Sequence, residues 1–336
     1  MAHTSAEFKE GCSQSISCRF LSFSYSCFRV EFCAVEPVRL PLYKGSTLRG
    51  AFGHSFRAVA CSNRHLGCQD CGQKYECAYS YVFETPPPPT AKILKKYPHA
   101  PHPFIIEPPL DRKDDFLAGD NISYHLILIG EAIKYLPVFI LTFERMGERG
   151  LGVQRGRFEL RKVFCIDGCD SIPIYSSEDK IIHQESVSEK TIDLSDFQGR
   201  EVVSQLELTF LTPTRLKYEE RITKRPEFHI VIRNLLRRVS LMNYYHGNGE
   251  NPDLEYVELI EKAKGIKLID SEIRWYDWER YSSRQNRKIN MGGFIGKARY
   301  QGDFGPFYSL LKMGEILHIG KGAVFGLGKY ICKEVK

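Results

Sequence analysis

Leu21, Phe23, Tyr25 and Cys27 are separated one by one by Ser22, Ser24 and Ser26. A period of two marks a β-strand with one buried face. After Cys27 the parity inverts, with Phe28, Val30 and Phe32 apolar against Arg29 and Glu31. The pattern predicts a strand over Cys18–Val35 with a bulge or bend near Cys27-Phe28. A helical period follows Lys44-Gly45-Ser46-Thr47, where Leu48, Phe52, Phe56 and Val59 share one arc as far as about Ala60. Ser46 or Thr47 is the expected cap. The opposite side of that helix carries His54 and Arg57 beside Gly50 and Gly53. Bare backbone, an imidazole, a cation and a helix N-terminus suit an anion better than a core. Further on, Phe104–Ile106 and Asn121–Ile129 read as strands, and Ile133–Met146 as a buried helix that tolerates Pro137 near its start.

The pattern then repeats. Gly150-x-Gly152-x3-Gly156 has the spacing of Gly320-x-Gly322-x3-Gly326, which continues to Gly328. Each glycine loop follows an apolar helix, Ile133–Met146 or Phe304–Leu317, and precedes a strand, Arg157–Phe164 or Lys329–Cys332. Strands Asn121–Ile129 and Gly293–Tyr300 precede the helices. Two copies of strand, helix, glycine loop and strand predict a duplicated α+β architecture. The expected boundaries are 15–169 for the first domain and 203–336 for the second, opening on strand Val203–Leu211 with a helix at Glu227–Tyr245. Between them, 170–202 holds eight acidic and three basic residues and reads as an acidic linker or excursion.

Composition narrows the class. The apolar and charged fractions of this 336-residue chain, 43% and 26%, are those of a globular protein. Met1–Gly11 lacks the apolar segment of a secretory signal, and no apolar run approaches the roughly 20 residues of a membrane span, so a cytoplasmic protein without membrane contact is expected. Eleven cysteines, an odd number, fit a reducing compartment. Four of them, Cys61, Cys68, Cys71 and Cys77, fall within the polar loop 61–77, where the C-x2-C pair has metal-ligand spacing. Structural zinc is the expectation, and an all-thiolate set argues against zinc catalysis. The proline-rich stretch 86–109 is read as an extended connection. Walker-type and H-E-x-x-H motifs are absent, which disfavours nucleotide hydrolysis and zincin chemistry.

Charge is unevenly spread. Net charge is +6, and Leu211–Ser240 holds eight Lys or Arg against three Glu. Ser271–Tyr300 interleaves Arg274, Arg280, Arg284, Arg287, Lys288, Lys297 and Arg299 with Trp275, Tyr276, Trp278 and Tyr281. Cations for phosphates and aromatic faces for bases form a nucleic-acid surface. Arg215, Lys217, Arg221, Arg233, Arg237, Arg284 and Lys297 are the candidate contacts. The glycine loop of the same half adds Gly320, Lys321, Gly322, Gly326 and Gly328, whose backbone N–H groups suit close approach of a phosphate.

Taken together, the paired halves, the glycine loop before the last strand and Gly292-Gly293-Phe294-Ile295-Gly296 resemble the repeat-associated CRISPR proteins of the RAMP superfamily. Leu42–Gly53, the cysteine loop ending in Cys77–Thr85, and Pro103–Pro108 resemble its precursor-crRNA-processing endoribonuclease. The resemblance spans about Cys18 to Cys332. It implies two tandem ferredoxin-like (RRM-like) domains, the first carrying the cysteine-rich insertion. It also implies a ribonuclease without a catalytic metal that binds CRISPR repeat RNA and cuts by 2′-hydroxyl attack, leaving a 2′,3′-cyclic phosphate and a 5′-hydroxyl. By position it makes His54 the catalytic histidine, with Tyr43 orienting the phosphate or acting as acid, and Lys44, Arg49 or Arg57 offsetting charge. His65, His318 and His229 are the other histidine candidates. The implied partners are repeat RNA and CRISPR effector or adaptation proteins. The rival reading is a non-catalytic crRNA-binding subunit of an effector.

Overall fold

Strand β1 (Ser22–Ala34) is buried on both faces, by two different cores. Phe28, Val30, Phe32 and Ala34 point into one, while Leu21, Phe23 and the partly buried Tyr25 and Cys27 belong to the other. This explains the parity inversion without a bulge. β1 pairs in unbroken register from Tyr25↔Ile129 to Cys33↔Asn121, and its register shift lies at Glu31/Phe32, on the opposite edge. The bulge expected at Cys27-Phe28 is therefore corrected: each apolar set fills one face of a regular strand.

The computed structural model describes residues 21–87, 100–197, 204–247, 249, 255–282 and 287–335. After β1 come β2 (Val38–Arg39), α1 (Gly45–Ala60), β3 (Phe104–Glu107), β4 (Asp115–Phe116), β5 (Asn121–Ile129), α2 (Leu136–Arg149) and β6 (Phe158–Asp167). The first sheet runs β3-β5-β1-β6, all antiparallel. The stretch read as an acidic linker adds two strands to it: β7 (Asp170–Ser176) extends it beyond β6, and β8 (Lys190–Asp193) pairs the start of β1. β2 and β4 form a separate two-residue ladder.

In the second half, β9 (Gln205–Thr214) leads through the hairpin β10 (Lys217–Tyr218) and β11 (Arg221–Ile222) to α3 (Phe228–His246) and α4 (Tyr256–Lys264). Then follow β12 (Lys267–Tyr276), the hairpin β13 (Glu279–Ser282) and β14 (Arg287–Asn290), β15 (Gly293–Gln301), α5 (Tyr308–Leu317) and β16 (Tyr330–Glu334). The sheet order is β12-β15-β9-β16. Without the added pieces each half is β-α-β-β-α-β, with its first and third strands central. This is the ferredoxin-like α+β fold, in tandem. Among the described residues no helix is long and apolar enough to cross a membrane.

One core lies between the first sheet and α1 and α2, rich in aromatic side chains such as Phe52, Phe56, Phe139 and Phe143. The other joins α3, α5 and the second sheet to the back of the first sheet through Phe23, Ile105, Ile127 and Ile129. Hydrophobic burial therefore couples the halves directly.

Candidate nucleic-acid interface and reaction centre

Gly320–Gly328 has two ends with different environments. Lys321 is exposed, whereas Phe325, Gly326, Leu327 and Gly328 are buried. The buried end meets the first half through backbone. A Cβ on Gly45, at the start of α1, would lie 2.0 Å from the Phe325 carbonyl oxygen; one on Gly326 would lie 2.4 Å from Pro108 Cδ and 2.8 Å from the Ile106 carbonyl oxygen. Gly326 also has φ 79°, a left-handed conformation that favours glycine. The loop's assignment to RNA contact is thus corrected for Gly326, which is interior to the joint, and for Gly328, which is buried against the Ile319 backbone. Gly320 and Gly322 remain half-buried beside the exposed Lys321.

Next to this joint, His318 is fully buried, its Nδ1 3.1 Å from the Leu327 carbonyl oxygen and its Nε2 2.7 Å from Glu107 Oε1. Both ring nitrogens face acceptors, so the imidazolium is the form that satisfies both. Lys329 Nζ donates to the other Glu107 oxygen at 2.7 Å. Burial alone would raise the Glu107 pKa, but the hydrogen bonds and charges of His318 and Lys329 hold it down at about 2. His318 is therefore an internal clasp, not a group facing substrate.

Above the joint, the Phe325 ring is flanked by two guanidiniums from different halves, Arg49 of α1 at 5.5 Å and Arg280 of β13 at 4.7 Å. Arg49 also lies over Phe83, 4.9 Å away, and its Nη2 is 3.5 Å from His102 Nε2. A guanidinium only donates, so that contact leaves the Nε2 lone pair facing Arg49 and the proton on Nδ1. The His102 ring stacks on Phe104 at 5.9 Å, which fixes its plane. Burial lowers the Arg280 pKa, and its Nε is buried without a hydrogen-bond partner. The β13–β14 hairpin is held here by Trp278 against Tyr43 at 4.8 Å, and by Arg215, whose Nη1 donates to the Asn290 carbonyl at 2.8 Å.

A cationic ridge leads away from this centre. Burial lowers the pKa of Lys321, and repulsion from Lys217, Arg215 and Arg237 lowers it further, so four predicted RNA contacts share one neighbourhood. Arg233 is exposed on the same helix as Arg237, and Arg221 on the adjoining hairpin. Lys297 lies apart on β15, exposed and 3.5 Å from Glu207. Arg284 lies outside the described residues. Arg238 serves the fold instead, its Nε donating to the Leu317 carbonyl at 2.6 Å.

The residues assigned to chemistry by resemblance stand in different surroundings. His54 is exposed on α1, nine residues beyond the helix start and so about 14 Å along its axis. Tyr43, before the helix, donates its hydroxyl to the Phe325 carbonyl at 2.8 Å, and burial raises its pKa well above the usual phenol value. Arg57, one turn along α1 from His54, bonds the carbonyls of Arg64 and Leu66 and lies 5.6 Å from the Tyr79 ring. Lys44, expected to contact RNA, is fully buried with its ammonium 3.1 Å from the Asp111 carbonyl oxygen. It stands at the N-cap of α1, which has no side-chain cap, in place of the expected Ser46 or Thr47. His65 is exposed in the cysteine loop, and His229 is half-buried against Tyr218.

The four loop cysteines are all half-buried free thiols. Burial raises the Cys68 pKa, with contributions from Cys61 and Cys77 nearby. Among the described residues, however, no group of three or more His, Cys, Asp or Glu is arranged to hold a metal. The donor set expected for zinc is not assembled in this structure, and no chemistry is assigned to it.

Comparison with known proteins places this geometry. A family model described as an N-terminal domain matches residues 23–187, and the model of CRISPR-associated endoribonuclease Cas6 matches residues 208–330. An uncharacterized protein of Archaeoglobus fulgidus is 25% identical over 313 residues, covering 92% of this chain and 98% of its own. A Cas6 product complex is 14% identical with a TM-score of 0.55, over 92% of this chain and 100% of that one. Thermus thermophilus Cas6 is 14% identical with a TM-score of 0.51, over 93% and 99%. A chain of a partial Cas6-RT-Cas1–Cas2 complex is 13% identical with a TM-score of 0.55, over 93% of this chain and 46% of that one. The structural likenesses show the shared fold, and the second half of the chain, residues 208–330, is similar to the CRISPR-associated endoribonuclease Cas6 family.

Proposed function

We propose that this protein is an endoribonuclease that cleaves precursor crRNA within its repeats, using the 2′-hydroxyl beside the scissile phosphate as nucleophile. The observation that carries this reading is the meeting of Arg49 and Arg280 over Phe325, where the two halves join, with His102 3.5 Å from the Arg49 guanidinium. Such a reaction needs a base on the 2′-hydroxyl and cations on the phosphate. As the Arg49 guanidinium turns from His102 to the phosphate, the Nε2 lone pair it faced is released and takes the 2′-hydroxyl proton while O2′ attacks phosphorus. Arg49 and Arg280 offset the charge that grows on the phosphoryl oxygens. The bond from phosphorus to the 5′ oxygen then breaks, that oxygen takes a proton from water, and the hydroxide left is neutralised by the proton held on His102. The products are a 2′,3′-cyclic phosphate and a 5′-hydroxyl.

Tyr43 is a positioning residue in this scheme, because its hydroxyl is committed to Phe325. No metal is assigned a catalytic part, since the nucleophile comes from the RNA and the charge is met by guanidiniums. The RNA runs from the centre along Lys321, Arg215 and Lys217, and CRISPR proteins are the expected further partners.

The test is cleavage of repeat-containing RNA by the purified protein in EDTA. Cutting should persist, should stop when the scissile nucleotide is 2′-deoxy, and should slow by about 10²-fold or more in His102→Ala with RNA binding retained. His54→Ala should stay within a few-fold of wild type. A strict Mg²⁺ requirement would overturn the mechanism. Binding without cutting would favour the non-catalytic subunit.

A further inference from the structure

A groove of about 660 Å³ opens beside the ridge, between the β10–β11 hairpin and helices α3 and α4. Its floor is apolar, with Leu236 and Ile260, and its wall carries Lys217, Tyr218, Arg233 and Arg237. We propose that this groove captures one unstacked nucleotide of the bound RNA, its base against Tyr218 and Arg233 and its phosphate on Lys217 and Arg237. The proposal rests on the RNA-processing reading above and adds a subsite to it.

Three observations on independent groups support it. The first is the wall itself: the Arg233 guanidinium lies 5.9 Å from the Tyr218 ring centroid and His229 packs edge-on to that ring at 5.5 Å. A flat cation–aromatic surface is what a base stacks on irrespective of its identity. The second is pre-organisation. Asn234 of α3 accepts from the Lys217 backbone N–H at 3.3 Å and donates to its carbonyl at 3.2 Å, while the Ser240 and Tyr256 hydroxyls meet at 2.6 Å and tie α3 to α4. The walls are fixed before any ligand arrives.

The third is the hairpin's backbone. Tyr218↔Arg221 closes a two-residue turn in which Glu219 and Glu220 have φ of 46° and 62°. Turns with positive φ at both central positions are ordinarily made by Asn and Gly. Side chains held in that region store strain, which gathers where a surface is presented for function. Glu220 is paired with Lys217, so an incoming phosphate takes the place of a carboxylate on the ammonium and releases the exposed Glu220 to solvent. Lys321, crowded by Lys217, Arg215 and Arg237, links the groove to the reaction centre, because Phe325 is four residues further along the same loop.

The experiment uses fluorescein-labelled repeat RNA with 2′-O-methyl riboses, which keeps bases and phosphates but removes the nucleophile, and reads affinity by anisotropy. Tyr218→Ala and Arg233→Gln should each weaken binding about tenfold, with Tyr218→Phe close to wild type. A scan of single abasic sites should find one position whose loss matches that of Tyr218→Ala and does not add to it. Arg233 is exposed, so its variant keeps the test valid should Tyr218→Ala unfold. If Tyr218→Ala and Arg233→Gln bind within twofold of wild type, or no abasic position couples to them, the groove is not a nucleotide subsite. Loss of cleavage in the unmodified RNA assay leaves these results standing, so the two readings fail separately.

Discussion

Glu107 joins three charges across the two halves, and its acid behaviour follows from its surroundings. Its carboxylate titrates at about 2 in the folded protein against an ordinary value of 4.5. A depressed carboxylate contributes stability that is fully present above the unfolded value and is lost as pH falls from about 4.5 through about 2. The contribution is about 3 kcal/mol. Chemical unfolding from pH 6 to pH 2 should show this loss, and Glu107→Gln should flatten it. That variant should also cost roughly 3–5 kcal/mol at neutral pH, because it leaves His318 and Lys329 without their anion. None of this was legible in the sequence. His318 stood out only as a histidine beside a glycine loop, and Glu107, 211 residues away, only as a residue between a strand and two prolines. His102 and Arg280 were equally hidden, one inside a proline-rich connection and the other among many cations. No local pattern records that the chain brings both into the surroundings of Arg49, His102 against its guanidinium and Arg280 on the Phe325 ring it also covers.

Elements were legible where a core imposes a period or an apolar run on the chain. Asn121–Ile129 and Gly293–Tyr300 stand almost where their alternation puts them, and α3 follows its apolar period within a residue at each end. β12 escaped notice because it is an edge strand, exposed along most of its length, so that no core imposes alternation on it. The β10–β11 hairpin escaped because Glu-Glu is not a turn signal. Its strain carries a prediction: Glu219→Asn with Glu220→Gly should relax both positive-φ positions and stabilise the protein by about 1–2 kcal/mol, read as a higher Tm. The same change removes two negative charges beside the cationic ridge, so RNA affinity should rise, most clearly at low salt. A fall in Tm would mean that the Glu220–Lys217 pair outweighs the backbone strain.

At the scale of the molecule, β1 serves two cores, and the halves are not independent beads on a linker. An isolated first half, residues 21–203, would expose Leu21, Phe23, Ile105, Ile127 and Ile129 on the back of its sheet. At about 1.5–3 kcal/mol for each buried side chain, that loss rivals the stability of a whole domain. Expressed alone, the fragment should aggregate or bind a hydrophobic dye, while the full chain should unfold in a single calorimetric transition. A monodisperse, cooperatively folded fragment would refute this coupling. The tandem plan could be read from the repeated glycine spacing, but the mutual burial of the halves could not, because both faces of a strand look alike in sequence. The joint itself has one more consequence. Among its contacts are close approaches of main-chain atoms, the Phe325 carbonyl on Gly45 and the Ile106 carbonyl on Gly326, and such atoms are the same in every residue. Side chains around it can be exchanged over evolutionary time without changing its spacing, provided the glycines stay.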